Sequence, residues 1–284
     1  MEPQSVPDRV RGRILFACLA VSLLVSLGLV AVLWPSWLTQ TMPVPLPDAV
    51  FGLTWYALLY ALLIRLLGRS GGRLRTLVGV QLGAVSTPRA IGAGVALLAI
   101  SVACVYTVYL PLSYIAPAFV QWWLIDDPMI LIWTQGEFYQ LANGLNFVVV
   151  VLVAPFVEEL FFRGLLLPSW ASKWSLKRAV VLSSLAFALL HADILGGFLF
   201  GVVAAIAFLK TQSLWVPFVI HATNNGLAWL ITLGEVIFSG EHQDTLVEFQ
   251  TSWWLAPVGL CIGVPLLILV SRYTGRSARP IGAA

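Results

Sequence analysis

The sequence predicts an all-α integral membrane protein, a polytopic bundle of about eight transmembrane helices with both termini cytoplasmic. Three observations predict it. Hydrophobic residues make up 60% of the 284-residue chain and charged residues only 10%, where soluble domains hold near half and a quarter. A soluble core of this length cannot absorb that much apolar surface, whereas lipid can. Apolar runs long enough to span, or nearly so, recur with no soluble domain between them. Charge then alternates between successive connections in the way membrane topology demands.

The runs fall at 14–34, 50–67, 91–112, 145–166, 178–191, 194–209, 214–233 and 253–271. The first follows Arg9, Arg11 and Arg13. It is too long for the h-region of a signal peptide, so it reads as an uncleaved first span. The fifth and sixth are short and joined by Asp193-Ile194-Leu195-Gly196-Gly197, which leaves room only for a tight turn. A full hairpin and a partly re-entrant one both fit. The outer connection at 113–144 carries Trp122, Trp123, Trp133, Pro111, Pro117 and Pro128. Trp favours the membrane interface, so this segment is expected to lie on the membrane surface as an anchoring loop. With no repeat and no low-complexity tract, residues 1–284 read as one membrane domain.

Cytoplasmic connections should carry Lys and Arg. With the N-terminus inside, the inner segments take Arg9, Arg11, Arg13, Arg65, Arg69, Arg73, Arg75, Arg89, Arg163, Lys173, Lys177, Arg178, Lys210, Arg272, Arg276 and Arg279, which is all 16 basic residues. The outer segments take Asp48, Asp126, Asp127, Glu137, Asp193, Glu235, Glu241, Asp244 and Glu248, with no Lys or Arg. A wrong span count would break this alternation. The net charge of +3 is too small to argue for nucleic acid, and the basic residues are accounted for as topology signals. Cys18, Cys104 and Cys261 lie in separate apolar runs without a C-x-x-C and read as small buried hydrophobes.

Three segments place ionisable or amide groups inside the spans. The first is Val157-Glu158-Glu159-Leu160-Phe161-Phe162-Arg163-Gly164. A charge at mid-span costs at least ~2.5–3.5 kcal/mol on insertion scales, so such groups persist when paired or when they do work. Glu159 and Arg163 are four apart and share a helix face, where they can pair. Glu158 projects about 100° away. One carboxylate is thus structural and the other free for proton transfer. The second segment is Phe187-Ala188-Leu189-Leu190-His191, ending span five, and the third is His221-Ala222-Thr223-Asn224-Asn225 in span seven. His221 and Asn225 share a face and can donate hydrogen bonds into one cavity. His242, the remaining histidine of three, reads as an ordinary surface residue.

A carboxylate, two imidazoles and an amide on three helices suit hydrolysis. Glu158 with His191 can position and deprotonate a water while His221 and Asn225 stabilise an oxyanion. Glu158, His191 and His221 are equally a catalytic zinc ligand set with water in the open position; the spacing does not choose between them. There is no H-E-x-x-H, no G-x-S-x-G and no phosphate-binding G-x-x-x-x-G-K-[ST], so zincin, serine-hydrolase and nucleotide chemistry are not expected.

The motifs E-E-x-x-x-R (Glu158-Glu159…Arg163), F-x-x-x-H (Phe187…His191) and H-x-x-x-N (His221…Asn225), in that order, resemble the CPBP family. That family includes the type II CAAX prenyl endopeptidases and the bacterial CAAX protease and bacteriocin-processing, or Abi-like, proteins. The segment through Gly201 and Thr211-Gln212-Ser213-Leu214-Trp215-Val216-Pro217 is similar as well. The resemblance covers roughly 145–235, which is the expected catalytic core. It implies a membrane endopeptidase of about eight spans acting near the cytoplasmic face of a bacterial cell (inner) membrane. By that resemblance Glu158 is the catalytic carboxylate and His191 its water- or metal-binding partner, with Zn2+ the candidate metal. His221 and Asn225 form the oxyanion pair, and Glu159 and Arg163 support them. The expected partners are the lipid bilayer and a peptide or membrane-protein substrate. A non-catalytic immunity or assembly factor on the same scaffold and a proton-coupled transporter are the alternatives. The tail Pro280-Ile281-Gly282-Ala283-Ala284 is no prenylation signal.

Overall fold

The computed structural model describes residues 10–39, 45–79, 87–126, 132–134, 139–239 and 245–275. Among them there are helices and turns but no strand, as a chain must arrange itself where the backbone has no water to bond. The helices are α1 (Gly12–Leu33), α2 (Pro45–Arg69), α3 (Leu74–Val78), α4 (Thr87–Ile115), α5 (Pro117–Val120), α6 (Gln140–Ala171), α7 (Leu176–Ala188), α8 (Ile194–Thr211), α9 (Trp215–Ser239), α10 (Leu246–Thr251) and α11 (Leu255–Gly275). The protein is a helical membrane bundle. Five of these helices, α1, α2, α4, α6 and α8, are long and apolar enough to cross a bilayer. Their outward faces carry large apolar side chains, among them Leu24, Val32 and Leu152, which suit contact with lipid.

Observed boundaries differ from the predicted spans mainly by extension. Helix α2 begins at Pro45, α6 at Gln140, and α9 runs on to Ser239. The chain after span three is not simply a loop, because α4 continues to Ile115 and α5 leads into a wide helical segment, Gln121–Ile125. Trp122 is exposed there, but Trp123 turns inward, donating through Nε1 to Tyr109 Oη at 2.9 Å. Helix α7 is shorter than expected. Its 13 residues rise only about 20 Å at 1.5 Å per residue, short of a hydrocarbon layer of ~30 Å. Pro128, Asp127, Glu137, Glu241, His242, Asp244, Arg9, Arg276, Arg279 and the tail 280–284 lie outside the described residues.

Helix α4 is the hub, packing against α11, α9 and α8. The α4–α11 contact is close because Gly259 and Gly263, four apart on α11, lie directly against the α4 backbone. A Cβ on either would collide with Ala99 O or Ala96 O respectively. Without a hydrophobic drive between helices in lipid, such small-residue seams let van der Waals contact hold them together. On the other side α1 packs on α2, and α2 on α6. A core of Leu15, Leu59, Leu63, Leu160, Phe161, Leu165, Leu166 and Phe187 joins α1, α2, α6 and α7.

Helix α6 is not a uniform α-helix. It opens into wide, π-type turns at Val148–Val153 and again at Leu160–Leu166, separated by the tighter Ala154–Glu159. Each wide segment ends two residues before a proline, Pro155 and Pro168. Proline has no N–H to give and its ring clashes with the carbonyl four residues back, so the preceding turn relaxes outward. The two glutamates thus close a short α segment between two widened ones.

Candidate functional site

Helices α6, α7, α8 and α9 bring the predicted groups together at one cavity of about 300 Å3. Its walls include Glu158, His191, His221, Asn224 and Asn225, with Tyr56 from α2. Glu159 and Arg163 lie behind this wall.

Glu159 and Arg163 pair as their spacing predicts, with Arg163 Nη1 donating to Glu159 Oε1 at 2.9 Å. Both are fully buried. The guanidinium also donates through Nη2 to Gly201 O on α8 at 3.2 Å and sits 4.5 Å from the Phe187 ring centre. Glycine at 201 is needed for this approach: a Cβ there would meet Ser184 Cβ at 2.8 Å and Ser184 Cα at 2.9 Å. The ion pair is therefore a bolt through α6, α7 and α8.

His221 Nδ1 lies 3.0 Å from Glu159 Oε1. The same oxygen accepts from Arg163, so it faces His221 as an acceptor, and His221 Nδ1 carries the proton. His191 Nδ1 lies 2.8 Å from Phe187 O, a carbonyl that can only accept, so its proton is on Nδ1 as well. These tautomers follow from the partners. In the neutral imidazoles both Nε2 atoms then carry lone pairs. They lie 3.8 Å (His191) and 3.9 Å (His221) from Glu158 Oε2, and one donor atom from each of the three residues fits within 4.8 Å of the others. Glu158 Oε2 is buried with no hydrogen-bond partner among the described residues, while Oε1 accepts from Tyr56 Oη at 2.5 Å.

His191 is not at the end of a helix as expected. Helix α7 stops at Ala188, and His191 sits in the following turn, its N–H donating to Ala188 O at 3.0 Å. Its ring stacks on Phe187 at 4.3 Å, and its Nδ1 donates to the Phe187 carbonyl, which also accepts from Leu190 N at 3.1 Å. Asn225 faces the cavity with its amide fixed at both ends: Nδ2 donates to Val150 O at 2.9 Å and Oδ1 accepts from Asn224 Nδ2 at 3.3 Å. One Nδ2 hydrogen is left for another acceptor.

Sequence reasoning missed three contributors. Tyr56 lies among other aromatics of α2, and nothing in its spacing marks it. Asn224 directly precedes a motif residue and orients it. Asp193 also lines the cavity; it caps α8 by accepting from Gly196 N at 2.9 Å and accepts from Ser101 Oγ on α4. Its place just before Gly196-Gly197 was a helix-start signal that could have flagged it.

Residues 140–227 match the family model described as "Type II CAAX prenyl endopeptidase Rce1-like". This is the segment that carries all three motifs. Through it the chain is similar to the CPBP family. A relative from Bacillus subtilis, named "Putative membrane peptidase YdiL", is 28% identical over 110 residues, 38% of this chain and 45% of that protein. The match thus spans less than half the length of that relative. No solved structure matches the chain. The CPBP match begins where α6 begins and ends within α9, so α1, α2, α4 and α11 lie outside it.

Proposed function

We propose that this protein is an intramembrane endopeptidase that hydrolyses a peptide bond in a membrane-associated or lipid-tethered substrate. One observation carries the reading. Three lone-pair-bearing atoms, Glu158 Oε2, His191 Nε2 and His221 Nε2, converge on one point of a cavity, each held from behind. Neutral imidazoles and a carboxylate with their electron pairs facing one another repel unless something electron-poor sits among them. A water proton is one such group, and the arrangement suits water activation.

In this mechanism Glu158 Oε2 accepts a proton from a water held against His191 and His221. The water oxygen bonds to the scissile carbonyl carbon as the C=O π pair moves onto oxygen. The free Nδ2 hydrogen of Asn225 is the donor for that oxyanion. Glu158 then returns its proton to the departing amine nitrogen as the C–N bond breaks, and the carboxylate is regenerated. This assigns neutral His221 to holding water rather than to the oxyanion, since its only N–H is given to Glu159.

The same three donors fit a divalent cation such as Zn2+. Each imidazole has its Nδ1–H fixed by an outer partner, the carbonyl of Phe187 or the carboxylate of Glu159, as metal-binding histidines characteristically do. When bound, such a metal would supply Lewis acidity and a more acidic water.

The proposed setting is the inner membrane of a bacterium with the site open to the cytoplasm, as the resemblance to the CPBP family implies. The test is cleavage of a peptide library by detergent-purified protein, comparing wild type with Glu158→Gln and His191→Ala. Cleavage by wild type should fall by about 10²–10⁴-fold in Glu158→Gln. No cleavage by wild type, with cellular function surviving both substitutions, would sink the enzyme reading in favour of a non-catalytic scaffold. Metal analysis and chelator sensitivity of the same sample decide on zinc.

A further inference from the structure

We infer that Tyr56 of α2 is a positioning residue for the carboxylate of Glu158, a role that rests on the proposed hydrolytic reading. It comes from outside the segment that matches the CPBP family, so the family match does not assign it.

The two oxygens of Glu158 have different surroundings. Oε1 accepts from Tyr56 Oη at 2.5 Å. Oε2 is buried, has no hydrogen-bond partner among the described residues, and faces both imidazole Nε2 atoms. A glutamate side chain has three rotatable torsions, and its terminal carboxylate torsion is broad and roughly two-fold. Left alone, the carboxylate could turn either oxygen to the imidazoles or swing into the wide cavity. A single hydrogen bond from a rigid phenol removes that freedom by fixing Oε1, and so presents Oε2 to the reacting water.

Tyr56 can do this because it is itself anchored. It packs against Trp55 with ring centres 5.1 Å apart, and Trp55 against Phe51 at 6.0 Å. Helix α2 packs on α6, so the phenol reaches Glu158 from a separate helix across the bundle. Tyr60, one turn further along, contacts the Phe156 ring at 6.2 Å instead; the two tyrosines of α2 thus touch successive parts of the same segment, and only Tyr56 reaches the carboxylate. Arg163 and His221 fix Glu159 in the same manner, with both bonds on Oε1. The two adjacent glutamates are thereby oriented by different helices.

The experiment uses the full chain in lipid nanodiscs with a peptide that wild type cleaves. Five proteins are compared for kcat, KM and thermal midpoint: wild type, Glu158→Gln, Tyr56→Phe, Tyr56→Leu and the double variant Glu158→Gln/Tyr56→Phe. Tyr56→Phe keeps the ring and its packing and removes only the hydroxyl. Its kcat is expected to fall by about 10- to 100-fold, the scale of a small misplacement of a reacting group. KM should stay within about twofold and the thermal midpoint should match wild type. In a Glu158→Gln background the same change should cost nothing further, because the group it positions is already disabled. Tyr56→Leu should add a loss of stability to the same loss of kcat. An unchanged kcat in Tyr56→Phe overturns the inference, and so does a loss confined to KM or one that tracks a fall in thermal midpoint. If Glu158→Gln cleaves as fast as wild type, it is the hydrolytic reading that has failed, whatever Tyr56→Phe does.

Discussion

Glu158 and Glu159 are neighbours in sequence and opposites in situation. Glu159 is wholly enclosed and holds Arg163 and His221 through one oxygen, while Glu158 keeps 16% of its side chain accessible and turns an unpartnered oxygen to the cavity. The 100° between successive helical residues places one inside the wall and the other on its surface. An intramembrane carboxylate is expensive wherever it sits. Here one offsets the cost by neutralising a buried guanidinium, and the other is the proposed site of chemistry. The difference teaches that the E-E pair is two roles separated by one peptide bond, and each role can be removed without the other.

The sharpest way to break the comparison is Glu159→Leu. It strands the buried Arg163 and frees His221 Nδ1. Removing one partner of a buried ion pair typically costs about 3–5 kcal/mol. A large drop in thermal midpoint is therefore expected, in contrast with Glu158→Gln, whose carbonyl oxygen still accepts from Tyr56 and whose fold should melt as wild type. The double variant Glu159→Leu/Arg163→Met should recover most of the stability. Activity should not return with it, because His221 would still lack the acceptor that fixes its tautomer. Thermal unfolding in detergent, read beside cleavage, checks both. Equal destabilisation by Glu158→Gln and Glu159→Leu would show that the two carboxylates share one structural role.

Much of this arrangement was legible beforehand, and the exceptions have physical causes. Helical period alone separated Glu158 from Glu159 and paired Glu159 with Arg163, because both statements concern one helix. The same period put His221 and Asn225 on a common face, and both do line the cavity. The bilayer supplied the fold class, since length and apolarity leave few alternatives in lipid. What could not be read were contacts between helices distant in sequence. Tyr56 meets Glu158 across 102 residues, and a tyrosine in an apolar span looks like any other interior aromatic. The widened turns of α6 were hidden for a different reason. Pro155 and Pro168 forecast a disturbance, but whether a helix kinks or widens depends on what packs around it. His191 fell beyond its helix because the run 178–191 stays apolar past Ala188, so hydrophobicity carried no mark of where hydrogen bonding stops.

A smaller effect is expected where the bolt crosses to α8. Gly201→Ala would push a methyl into Ser184, with the nearest atoms at 2.8 and 2.9 Å. Neither the Ser184 Cα nor its Cβ can rotate away, so α7 and α8 must part. Overpacking of this kind costs about 1–3 kcal/mol, and it should lengthen the bond from Arg163 Nη2 to Gly201 O. Because Glu159 and Arg163 remain paired, the loss should be less than in Glu159→Leu. Gly201→Ala melting as wild type would mean that α7 and α8 slide freely there and that the guanidinium does not tie them.

The smallest effect belongs to a carboxylate with no part in the site. Glu248 closes a capping box on α10: Thr245 N donates to its Oε2 at 2.8 Å and the Thr245 hydroxyl at 2.9 Å, while Glu248 N donates back to Thr245 Oγ1 at 3.2 Å. These bonds favour the ionised form and hold its pKa below the usual carboxylate range, first through the Thr245 backbone N–H and then through the hydroxyl. A depressed folded-state pKa means the stabilisation is complete above the unfolded value and is lost as pH falls through the folded one. Thr245→Ala removes the side-chain half of the box, and such caps are worth about 0.5–2 kcal/mol of local helix stability. Hydrogen exchange at α10 amides should therefore quicken in the variant at neutral pH, and the gap from wild type should narrow on acidification below the ordinary carboxylate range. Cleavage should be unaffected throughout, because α10 lies between α9 and α11 and contributes no residue to the cavity. A gap that widened on acidification would reverse the assignment, since it would require the protonated glutamic acid to be the better cap.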